Sequence, residues 1–66
     1  MAQYNITATS AKKTLTVSNT DKKRYPSPAE FADQAAADAN AAKYAKSLNH
    51  EDYEGVWDWV GTATAV

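Results

Sequence analysis

Apolar and polar residues alternate over Tyr4-Asn5-Ile6-Thr7-Ala8-Thr9 and again over Leu15-Thr16-Val17-Ser18. A period of two belongs to a strand with one buried face, so both segments predict half-buried β-strands. Ser10-Ala11-Lys12-Lys13 lies between them as a short hairpin loop, without the Asn-Gly or Asp-Gly pair of the tightest turns. An alanine-rich run then predicts one long helix over residues 28–48. Its start reads from Ser27-Pro28-Ala29-Glu30: a serine cap, a proline at the first helical position and a capping-box carboxylate. Tyr25 or Pro26 would staple onto Phe31, and Asn49-His50 reads as the exit. The strand period returns at Val56-Trp57-Asp58-Trp59-Val60 and continues toward Ala65. Trp57 and Trp59 then share one face with Gly61, Ala63 and Ala65, and Gly61 suits a bulge or a close backbone approach.

Strand, strand, helix, strand is an α+β order. It predicts a ββαβ domain with a three-stranded antiparallel sheet, order 2-1-3, and one long helix packed on one face. The whole chain, residues 1–66, reads as a single small domain. On the helix, Phe31, Ala35, Ala42 and Ala45 form one candidate core stripe, with Ala41 and Leu48 at its edge and Asp38 intruding. Ala32, Ala35 and Ala39 form a second. Slender alanines bring a helix close to a sheet, so Trp57, Trp59, Tyr4, Ile6, Leu15 and Val17 are expected to fill the core. Trp57→Ala is then expected to cost about 3–5 kcal/mol. Thr7, Thr9, Thr14, Thr16, Thr62 and Thr64 are placed on the open face, which reads as a wettable surface.

Composition narrows the chemistry. The chain has no cysteine and a single histidine, His50, which removes disulfides, thiolate metal sites and histidine-rich zinc sites. Glu51-Asp52-Tyr53-Glu54-Gly55 lacks the oxygen spacing of a calcium loop, and Gly55 and Gly61, the only glycines, build no phosphate cradle. No nucleophile is placed beside His50, so it reads as a cap or surface residue. No cofactor is implied, and the expectation is a protein that is not an enzyme. No apolar run is long enough to span a membrane and no signal-peptide pattern opens the chain, so the expected compartment is the cytoplasm.

The net charge is only -1, but its distribution is uneven. Lys12, Lys13, Lys22, Lys23 and Arg24 precede the helix, whereas Glu51, Asp52, Glu54 and Asp58 follow it. Acidic residues beside aromatics suit docking on a basic protein surface. The sequence therefore predicts a non-catalytic protein-binding module that contacts a larger partner through Glu51, Asp52, Tyr53, Glu54 and Asp58. In architecture it resembles the small accessory proteins that viruses of bacteria direct against host machinery, which implies an inhibitor or modulator. The second reading is a nucleic-acid-binding module using Lys12, Lys13, Lys22, Lys23, Arg24 and Tyr25. A homodimer through an edge strand or the open sheet face is a further expectation.

Overall fold

The computed structural model describes residues 2–18 and 24–66. The expected Lys22 and Lys23 contacts lie outside the described residues. Four strands and one long helix follow in the order β1 (Ala2–Ser10), β2 (Leu15–Val17), β3 (Ala29–Phe31), α1 (Gln34–His50) and β4 (Trp59–Ala65), with a 3-10 turn at Tyr53–Gly55 before β4. The class is α+β, and the sheet is antiparallel throughout.

β1 is the central strand, paired along both edges, and its alternation gives it one buried face. Tyr4, Ile6, Ala8 and Ser10 are buried toward the helix, while Gln3, Asn5 and Thr9 are exposed on the other face. One edge of β1 pairs with β4 from Tyr4↔Ala65 to Ser10↔Trp59. The opposite edge is shared. β2 covers Ala8 to Ser10, and β3 covers Ala2 to Tyr4. Between them the Ile6 amide donates to the Ser27 hydroxyl oxygen at 2.9 Å, so a side chain completes the edge where no strand reaches it.

That bond explains the largest departure from the sequence reading. Ser27-Pro28-Ala29-Glu30 does not start the helix. Ser27 serves the sheet, and residues 29–31 extend as β3, where Phe31 meets Tyr4 edge-on at 6.1 Å. The helix starts later, at Gln34, with Asp33 as its cap. The Asp33 carboxylate accepts from the Ala36 amide at 2.9 Å. At the other end α1 runs through Asn49 and His50.

The core stripe also differs. Ala37, Ala41, Tyr44, Ala45 and Leu48 are the buried helix residues, while Ala32, Ala35, Ala39 and Ala42 are exposed and Phe31 belongs to β3. The cause is visible at Gly61. A Cβ built there would sit 2.0 Å from the Ala41 carbonyl oxygen, so backbone meets backbone where α1 crosses β4. This close approach, open to Gly61, sets which alanines face the sheet. Tyr44 and Leu48, further along the same stripe, are both buried.

The two tryptophans part company. Trp59 is 3% exposed and belongs to the core, but Trp57 is 64% exposed. β4 begins only at Trp59, so residues 56–58 escape the alternation that placed both rings inside. The large cost expected of Trp57→Ala therefore belongs to Trp59. Leu15 is likewise marginal to the core, at 37% exposure on the short strand β2. The hairpin loop is residues 11–14, not 10–13. Ser10 is fully buried at the end of β1, and Thr14 adopts φ 52° to reverse the chain.

Candidate functional site

The acidic segment leaves α1 through a tight reversal. Asp52, Glu54 and Gly55 take positive φ of 50°, 58° and 75°. The Gly55 amide donates to the Asp52 carbonyl at 2.7 Å, and the Val56 amide to the Tyr53 carbonyl at 3.3 Å. Tyr53 pins the turn to the core. Its ring packs on Trp59 at 5.7 Å, and its carbonyl accepts from the Trp59 indole N–H at 3.1 Å. Tyr53 is thus half-buried and spent on structure, while Glu51, Asp52 and Glu54 stand exposed around it.

Asp58 is placed differently from those three carboxylates. It bonds the β1–β2 hairpin, accepting from the Ser10 hydroxyl and, at 3.0 Å, from the Lys12 amide. The Ser10 oxygen accepts in turn from the Lys13 amide at 3.3 Å. The Ser10 hydrogen bond above all, then the Lys12 amide, holds the Asp58 carboxyl below the usual carboxylate range against a smaller opposing effect of desolvation. Asp58 is therefore a latch between hairpin and β4.

The latch sets up Trp57. With Asp58 turned to the hairpin, the preceding indole projects into solvent, and the Lys12 ammonium lies 5.3 Å from its ring centre. A cation over an indole at an exposed site contributes about 0.5–1 kcal/mol, enough to favour one ring orientation. Lys12, expected on a nucleic-acid surface, here steadies an aromatic side chain. The sequence offered no separate signal for Trp57, because its parity matched that of Trp59.

Lys13 shares the hairpin with Lys12, whereas Arg24 and Tyr25 lie elsewhere. Arg24 is exposed, and Tyr25 stacks on the buried Tyr44 ring at 5.4 Å. Tyr25, Lys43, Lys46, Ser47 and His50 line a surface groove of about 290 Å³. Lys43 and Lys46 sit in the last turns of α1, where cations suit the helix dipole, and His50 was expected as a cap or surface residue. Their three- and four-residue spacing is the signal that puts them on one face.

Among the described residues, no three of His, Cys, Asp and Glu gather where a metal ion could sit. No helix among them is long and apolar enough to cross a membrane. No family model, curated protein or solved structure matches the chain.

Proposed function

We propose that this protein is a non-catalytic binding module that docks on, and modulates, a larger protein through Trp57 and the acidic turn beside it. The observation that carries the reading is the exposure of Trp57, 64%, two residues from a fully packed indole. A solvent-facing tryptophan on a braced backbone loses little entropy on binding and offers a large apolar area, the usual character of an interface anchor. Glu51, Asp52 and Glu54 are exposed on the turn that leads to it, so the fitting partner has a basic rim around an apolar pocket. Tyr53 and Asp58 support this surface from behind, by holding the turn and the hairpin.

The test is capture from a lysate of the native host with three baits: wild type, Trp57→Ala, and a triple change of Glu51, Asp52 and Glu54 to Lys. A protein retained by wild type should be lost with both variants, because one removes the anchor and the other reverses the steering charge. Neither variant touches the core, so both should melt as the wild type does. Equal capture by all three baits would refute the reading.

A further inference from the structure

We propose that the groove between Tyr25 and the C-terminal half of α1 binds a nucleotide, with the base on the Tyr25 ring and the phosphate between Lys43 and Lys46. Three independent observations converge. The first is a shallow, open groove of about 290 Å³, just under the usual range of ligand sites, against which one planar ring can lie. The second is an aromatic wall that is already fixed. Tyr25 is half-buried and leans on Tyr44, itself 1% exposed, with ring centres 5.4 Å apart at a 40° tilt. A base stacking there meets a ring that needs no further ordering.

The third is charge. Lys43, Lys46 and His50 all border the groove, and the Ser47 hydroxyl lies among them as a neutral hydrogen-bond donor. Lys43 and Lys46 are exposed, with flexible stems that line the apolar floor while their ammonium groups stay in water. Glu51, the residue after His50, and the negative pole of α1 oppose an anion at the far end of the groove. The phosphate is therefore assigned to the Lys43–Lys46 end. None of the residues lining the groove belongs to the proposed docking surface, so the inference stands apart from the docking reading.

Amide chemical shifts of the isotope-labelled protein test it, in low salt, with three probes: adenosine monophosphate, a twelve-residue oligothymidylate and inorganic phosphate. Shifts at Tyr25, Lys43, Lys46, Ser47 and His50 with the first two, and far weaker effects of inorganic phosphate, are the expected result. A response to both nucleotide probes assigns a mononucleotide pocket, and a response to the oligonucleotide alone assigns a segment of a single strand. Lys43→Glu with Lys46→Glu should weaken oligonucleotide binding about tenfold or more and lower its salt slope by roughly 1. Absence of shifts in the groove, an equal response to inorganic phosphate, or unchanged affinity in the double variant would overturn the proposal.

Discussion

The Asp58 carboxylate accepts from one side chain and one backbone amide of the opposite hairpin, and so ties its charge state to the folded state. Its carboxyl titrates below the usual range when folded, through the Ser10 hydrogen bond first and the Lys12 amide second. A group with a depressed folded pKa contributes stability that is complete above its unfolded value, about 3.9, and disappears as pH falls through the folded value. Wild type should therefore outlast Asp58→Asn in thermal melts at about pH 5–7, and the difference should close below about pH 4. A difference that stays constant into stronger acid would mean that the latch does not act through the charge of Asp58. The same residue shows where sequence reading stopped. Asp58 looked like a fourth member of an acidic cluster, because nothing local announces that a carboxylate will face a serine 48 positions away in the chain.

Among the elements, those with strong periodicity were legible. The alternation of residues 4–9 and 15–18 pointed to β1 and β2, the last strand paired with β1 as expected, and of the two roles read for Gly61 the close approach is the one observed. The helix body was legible too, but its start was not. Ser27-Pro28-Ala29-Glu30 satisfies every local rule for a helix start, yet the Ile6 amide needs the Ser27 hydroxyl and β1 needs a neighbour at residues 2–4. Tertiary demand overrode a local signal, and Asp33 stood ready as a second cap. In the candidate site, the run of carboxylates was legible from composition. The outward turn of Trp57 was not, because it depends on where the β4 ladder begins. The crossing at Gly61 gives the sharpest test of the packing. Gly61→Ala forces a methyl into the Ala41 carbonyl, so α1 must lift off β4. The expected cost is about 2–3 kcal/mol or more, read as a lower midpoint in thermal unfolding. A midpoint equal to wild type would show that the two backbones are further apart than described.

For the molecule as a whole, Trp59 is the largest ring of a core that also holds Tyr4 and Tyr44. Trp59 packs against Tyr53 and is held through its own backbone by Asn49. A domain of this length has about 3–10 kcal/mol of stability, and removing a buried tryptophan costs about 3–5. Trp59→Ala should therefore lose a large share of its stability, read as a much lower midpoint by circular dichroism, whereas Trp57→Ala should melt close to wild type. The reverse ranking would mean that inside and outside have been exchanged. The pair of variants also separates folding from recognition, since Trp57 is the ring assigned to the partner.

The Asn49 amide group donates to the Trp59 carbonyl at 3.1 Å and accepts from the Trp59 N–H at 2.8 Å, and Gln34 donates to the Ala63 carbonyl at 3.1 Å. In an antiparallel ladder these backbone groups point away from β1, toward the border of the sheet. Two carboxamides, one near each end of the same helix, thus mimic the hydrogen bonds of a missing neighbour. A foreign peptide seeking to zip onto this border would have to evict both, so main-chain templating and fibrous growth are discouraged at their source. Along β4, therefore, contacts with other molecules fall to the projecting side groups.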